Sequence, residues 1–131
     1  MEYMKKTFFV FICLLLFAGW PEGYAGEITD PEADSELKTI WNGMITMLME
    51  KDIEKAVEYF THSTRERYRE QFSLIADRLP VIFSGMRDIE PIYIKGDEAK
   101  YRVRINDNGR ERTGYIWFRS DMLGRWKIEK F

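Results

Sequence analysis

The sequence predicts an α+β fold in which N-terminal helices pack against a curved, cone-like antiparallel meander of four strands. Between residues 30 and 79, apolar side chains recur every three or four positions, as they do in amphipathic helices. After Asp88 the apolar spacing changes to every second residue, which is typical of half-buried strands. Because the connections between these strands are too short for crossovers, antiparallel hairpins are favoured. Helices followed by strands in this order indicate an α+β domain.

The first 25 residues have the pattern of a secretory signal peptide. Lys5 and Lys6 precede an apolar run over residues 8–18, and the small residues Gly23 and Ala25 follow it. The run is too short to cross a bilayer core, which needs roughly 20 apolar residues. We therefore expect cleavage after Ala25, a periplasmic or secreted protein, and no stable membrane span after cleavage. Residues 26–131 form the expected mature domain.

Composition narrows the possible functions of the mature domain. Cys13, the only cysteine in the 131 residues, lies in the predicted signal peptide, so the mature domain would have neither disulfide nor thiol ligand. We expect no metal site and no cofactor. The formal net charge of −2 argues against general nucleic-acid binding.

Three helices are predicted in the first half of the mature domain. The first begins at Asp30 and Pro31, which suit an N-cap and a first helical position, and ends near Glu50. The second covers residues 53–60. The third follows a capping-box pattern over residues 63–66. Pro80 should stop or kink this helix, with one more turn before the strands begin.

Four strands are predicted in the second half. The clearest is 99–105, where the apolar residues alternate with Lys100, Arg102 and Arg104. Residues 89–95 form the strand before it, and residues 112–119 and 125–130 form the two that follow. Turn-forming residues separate them at 96–97, 106–109 and 121–124.

Three segments of the chain resemble the nuclear transport factor 2-like, or SnoaL-like, superfamily. They are the helix 52–60 with the spacing D-x-x-x-A-x-x-x-F, the segment 63–68, and residues 124–128 with the spacing G-x-W-x-I. The resemblance implies a cone, in which a curved sheet wraps a long helix and leaves a pocket at the open end. Members include isomerases, dehydratases, epoxide hydrolases, polyketide cyclases and domains without activity.

Enzymes of that superfamily carry carboxylates, or His and Asp, inside the cone, because proton abstraction there needs a base with a pKa raised by burial. The inward positions predicted for the strands contain no Asp or Glu. We therefore expect a non-catalytic exported domain without catalytic residues. An isomerase, cyclase or dehydratase stays an alternative, with Asp77 or Asp88 as its acid. His62, the only histidine, is interpreted as structural because no partner accompanies it.

The leading hypothesis is that the cone binds a small apolar or amphipathic ligand or is filled by its own side chains. The residues predicted to line it combine large apolar faces with a few polar tips, as ligand pockets do. They are Trp41, Tyr68, Phe72, Tyr101, Phe118 and Trp126.

A second hypothesis concerns the outer surface of the sheet. Its strands carry a series of basic residues, namely Lys100, Arg102, Arg104, Arg112 and Arg119. Such a surface would suit an envelope protein partner, a second copy of the chain in a homodimer, or a polyanion. An ordinary solvated face, with bases that prevent edge pairing, explains it equally well.

Overall fold

The computed structural model describes residues 30–131, apart from the side chain of Asp107. The predicted signal peptide lies outside these residues. The helices are α1 Pro31–Met49, α2 Ile53–Val57, α3 His62–Leu74 and α4 Leu79–Phe83, with a 3₁₀ turn at Ala76–Arg78 before α4. The strands are β1 Ile89–Lys95, β2 Glu98–Asp107, β3 Arg110–Ser120 and β4 Trp126–Lys130. They form one antiparallel sheet in the order β1-β2-β3-β4, which confirms the predicted α+β meander.

Helix α1 has the predicted start and the predicted buried stripe. The carboxylate of Asp30 accepts the backbone N–H of Ala33 at 3.0 Å, and Pro31 occupies the first turn, where its missing N–H is not needed. The helix contacts α2, α4, β1 and β4, so it lies at the centre of the packing. Leu37, Trp41, Met44 and Leu48 of the predicted stripe are buried, and Ile40, which the spacing also includes, is only partly buried. Ala33 and Ile45 are buried in addition.

Helix α2 ends at Val57, three positions before the predicted end at Phe60. The backbone of the next residues pairs with strand β4 instead of continuing the helix. The N–H of Ile128 donates to the Tyr59 carbonyl, and the N–H of Thr61 donates to the Ile128 carbonyl, both at 2.8 Å. This parallel bridge covers the outer edge of β4.

The predicted capping box over residues 63–66 is wrong. Helix α3 begins at His62 with Thr61 as its N-cap, and no side chain makes a cap hydrogen bond. The Glu66 carboxylate pairs with Arg69 one turn further along α3 instead of reaching back to the start of the helix. The chain enters α3 early because β4 already holds the Thr61 backbone.

Helix α3 ends at Leu74, before Pro80 is reached. Pro80 lies in the first turn of α4, where a residue without an N–H is well tolerated. The extra turn predicted before the strands is therefore α4.

The inward face of the sheet forms the core together with α1. Ala99, Tyr101 and Val103 of β2 and Ile116 and Phe118 of β3 are buried, as the two-residue alternation predicts. On β1, at the opposite edge from β4, Pro91 has no N–H, and the register shifts between Pro91 and Tyr93.

Gly43 in α1 is packed directly against Tyr59. A Cβ added at Gly43 would lie 2.6 Å from the Tyr59 hydroxyl oxygen and 2.8 Å from its Cζ. We expect Gly43→Ala to lower the free energy of unfolding by about 1–3 kcal/mol, because overpacking outweighs the better helix propensity of alanine. Chemical denaturation measures this change. Gly85→Ala is the control, since no atom lies within 4 Å of its added Cβ. A more stable Gly43→Ala variant would contradict the contact.

Candidate functional site

The structure places five of the six predicted cone-lining residues in one buried cluster. Trp41, Tyr68, Phe72, Tyr101 and Phe118 are each between 0% and 4% exposed. Their rings contact one another or shared neighbours: the centroids of Tyr101 and Phe118 are 5.3 Å apart, and those of Tyr68 and Phe72 are 5.8 Å apart. The aromatic faces expected to meet a ligand therefore meet other side chains.

Phe131 completes this cluster, and the sequence offered no signal for it. Its ring centroid lies 5.2 Å from that of Trp41 and 5.2 Å from that of Tyr68. Phe60, Phe72 and Phe83 pack around the same ring at slightly longer distances.

The polar tips of the clustered residues are already bonded within the fold. The Trp41 indole N–H donates to the Met86 carbonyl at 2.6 Å. The Tyr68 hydroxyl accepts the Phe131 N–H at 2.9 Å and lies 3.3 Å from the Phe131 carbonyl. The Tyr101 hydroxyl donates to the Asp34 carboxylate. Within residues 30–131, no buried side-chain nitrogen or oxygen lacks a partner, so these tips leave little for a polar ligand to recognise.

The bond between Asp34 and Tyr101 was missed by the sequence analysis, which searched only the strands for inward acids. Burial, and then the Asp34 carboxylate, raise the pKa of the Tyr101 phenol, so the phenol stays protonated and acts as a donor. The Asp34 side chain is 13% exposed and also pairs with Lys38 at 3.1 Å. The sequence did contain a signal for an inward acid. Asp34 precedes the buried Leu37 by one helical turn and therefore lies on the same side of α1.

The residues considered for catalysis lie on the surface. Asp77, Asp88 and His62 are all exposed. In the part of the chain that the structure describes, no charged side chain is fully buried. Residues 30–131 contain no group of three His, Cys, Asp or Glu side chains that could hold a metal ion.

The outer face of the sheet carries a row of alternating aromatic and lysine side chains, which we call the aromatic–lysine row. Tyr93, Lys100, Trp117 and Lys130 are direct cross-strand neighbours on β1, β2, β3 and β4. The Lys100 Nζ lies 5.1 Å from the Trp117 ring centre and 4.7 Å from that of Tyr115 beside it. The Lys130 Nζ lies 4.6 Å from the Trp117 ring centre. These cation–π contacts hold the aromatic rings in place.

Three of the predicted bases on this face, Arg102, Arg104 and Arg119, are paired with acids, so the outer face has mixed charge. Arg102 pairs with Glu90 at 2.7 Å, and this hydrogen bond lowers the pKa of the Glu90 carboxyl. Arg104 lies 3.6 Å from Glu111. Arg119 contacts three carboxylates at 3.3–3.5 Å, those of Asp97, Glu98 and Glu129.

Arg112 does not belong to the outer face, contrary to the prediction. It is paired with Ile105 of β2, and it lies four positions before the buried Ile116 on β3, an even number that places both on the same face. The two-residue period therefore places it on the inward side, at the exposed end of the β2–β3 hairpin.

Trp126, the sixth predicted lining residue, is only partly buried: it packs against the core cluster and also lines an open groove of about 590 Å³ at the end of the β3–β4 hairpin. The hairpin turn is held by Asp121, whose carboxylate accepts the N–H groups of Leu123 and Arg125 at 2.9 Å. The bond from the Arg125 backbone is the main cause that lowers the pKa of the Asp121 carboxyl. The groove wall also includes Arg65, Arg119 and Lys127.

The comparisons with known proteins include a structural likeness. No family model matches the chain, and no curated protein matches it. Among solved structures, the chain is similar to Rd1NTF2_05, a designed nuclear transport factor 2-like protein in a substituted form. The two are 21% identical, the match covers 75% of this chain and 95% of that chain, and the TM-score is 0.40. The order of helices and strands observed here agrees with the arrangement that the sequence resemblance implies. We find no helix in residues 30–131 with the length and apolar character needed to span a membrane.

Proposed function

We propose that this chain is a non-catalytic exported domain that binds a protein partner through the outer face of its sheet. The observation that carries the proposal is the aromatic–lysine row with its neighbour Tyr115. Tyr115 is 42% exposed and lies beside Lys100, and Trp117 is partly exposed and lies between Lys100 and Lys130. Export is supported by the pattern of residues 1–25.

The surroundings of the row favour a protein as the partner. Protein interfaces combine a centre enriched in aromatic residues with a polar rim. Here the rim consists of the ion pairs Arg102–Glu90, Arg104–Glu111 and Arg119–Glu98. Because the rim contains both charges, it can be complementary to itself across a two-fold axis. A second copy of the chain is therefore the first partner to test.

Binding of a small apolar ligand inside the cone is less well supported. The predicted lining residues contact each other, and their polar tips bond to Met86, Phe131 and Asp34. The assignment of those six residues to ligand binding stays a prediction.

Light scattering combined with size exclusion on residues 26–131 tests the proposal. We expect Trp117→Ala to weaken self-association about 30-fold or more, because central aromatic residues of interfaces contribute about 2 kcal/mol or more. Val81→Ser is the matched control, since Val81 is a strongly exposed apolar residue on α4, away from the sheet. A monomeric mass at millimolar concentration in both low and high salt would contradict the homodimer.

A further inference from the structure

The groove beside Trp126 has an excess of positive charge. Four basic side chains line it, those of Arg65, Arg119, Arg125 and Lys127. Within residues 30–131, two carboxylates line it, those of Glu36 and Asp121. Because low-dielectric walls focus the field of such a charge excess, the groove attracts anions more strongly than an open surface would.

Two of the four cations have their charge compensated by acids. Arg125 pairs with Asp121 at 2.8 Å through its Nε. Arg119 is bonded to the three carboxylates on the outer face. Because these carboxylates already balance their charge, both side chains attract a further anion less strongly than an unpaired cation would.

Arg65 and Lys127 differ from the other two cations, because backbone carbonyls rather than carboxylates hold them in place. Arg65 donates to the carbonyls of Val57 and Phe60 at 3.0 and 3.1 Å, and Lys127 donates to the Glu58 carbonyl at 2.9 Å. Within residues 30–131, neither side chain has a carboxylate at ion-pair distance. The segment 57–60 therefore orients both cations without neutralising them, and preorganised charges of this kind bind a ligand with a smaller entropic loss.

Trp126 supplies the apolar surface of the groove. It is partly exposed and directly precedes Lys127 in β4. A volume of about 590 Å³ falls within the range of pockets that hold small molecules, about 300–1,000 Å³.

We propose that this groove binds a small amphipathic organic anion, with its anionic group at Arg65 and Lys127 and its apolar body against Trp126. A carboxylate on an aromatic or aliphatic body has this chemistry. The groove contains no residue of the aromatic–lysine row and shares Arg119 with the rim of the outer face. The proposal does not depend on the function proposed for the outer face.

The probe is 2-naphthoate, and its neutral analogue 2-naphthalenemethanol is the comparison. Both are titrated into residues 26–131 and followed by calorimetry and by the NMR signal of the Trp126 indole N–H. We expect naphthoate to shift this signal and to bind at least tenfold more tightly than the alcohol. We expect Lys127→Gln to weaken naphthoate binding about tenfold and Lys127→Arg to restore it, since a hydrogen bond to a charged group contributes at least that factor.

Lys95→Gln is the matched control, because it removes one positive charge from an exposed position on β1. We expect it to leave the affinity unchanged, and we expect the same of the outer-face variant Trp117→Ala. The proposal is overturned if the alcohol binds as tightly as naphthoate or if Lys95→Gln weakens binding as much as Lys127→Gln. It is also overturned if the shifted signals belong to the aromatic–lysine row, or if the Trp126 signal stays unchanged up to the solubility limit of naphthoate.

Discussion

Replacement of Tyr101 by alanine is expected to lower the free energy of unfolding by about 3–5 kcal/mol, the range for large-to-small changes of buried aromatic residues. Tyr101 is fully buried in β2, and its ring meets Phe118 edge to face at 5.3 Å. The variant loses this packing and leaves the Asp34 carboxylate without its phenol donor. Chemical denaturation of residues 26–131, followed by circular dichroism, measures the change.

Two further variants separate the contributions at Tyr101. Tyr101→Phe keeps the ring and removes only the hydroxyl, so we expect a smaller loss of about 1–3 kcal/mol from the broken hydrogen bond to Asp34. Tyr115→Ala makes the same chemical change at an exposed position of β3, and we expect at most about 0.5 kcal/mol when the protein is dilute. Equal losses for Tyr101→Ala and Tyr115→Ala would show that Tyr101 is not in the core.

Trp41→Ala is expected to have an effect of similar size, about 3–5 kcal/mol. Trp41 lies in the middle of α1 and is fully buried, with its ring edge to face against Phe131. Its indole N–H is the donor to the Met86 carbonyl, which joins α1 to the segment between α4 and β1. The same denaturation experiment measures the loss.

Trp41→Phe tests the hydrogen bond separately. It keeps an aromatic ring but leaves the Met86 carbonyl without its donor, for which we expect about 1–3 kcal/mol. Trp117→Ala removes the same side-chain type from the partly exposed outer face and should have a clearly smaller effect on unfolding. If Trp41→Ala unfolds at the denaturant midpoint of the unmodified protein, the described packing of α1 is wrong.

The elements that the sequence predicted well depend on neighbours along the chain. The buried stripe of α1 and the alternation in β2 are periodic patterns, and Asp30 and Pro31 mark a helix start locally. Element ends were harder to predict where distant residues decide them. Helix α2 ends at Val57 because the next residues pair with Ile128, which lies in the last strand.

The candidate sites were only partly predicted, again because some of their contacts depend on residues that are distant in the sequence. Alternation placed Lys100, Arg102 and Arg104 on one face of β2, as observed. Their acidic partners on the neighbouring strands depend on register, which the sequence does not specify by itself. The bond between Asp34 and Tyr101 joins residues 67 positions apart. The helical period could have indicated that Asp34 lies near the inward side of α1, but its partner can be found only once the relative placement of α1 and the sheet is known.

The two edges of the sheet affect whether copies of the protein can stack as in amyloid. An exposed edge strand presents a row of free N–H and C=O groups that can template cross-β growth. Here the backbone around Phe60 covers the β4 edge through its bridge to Ile128. On the β1 edge, Pro91 interrupts the row of N–H donors. Strand addition is thereby disfavoured at both edges, so the self-association proposed above would use the broad surface of the sheet, where side chains rather than backbone groups would determine the partner.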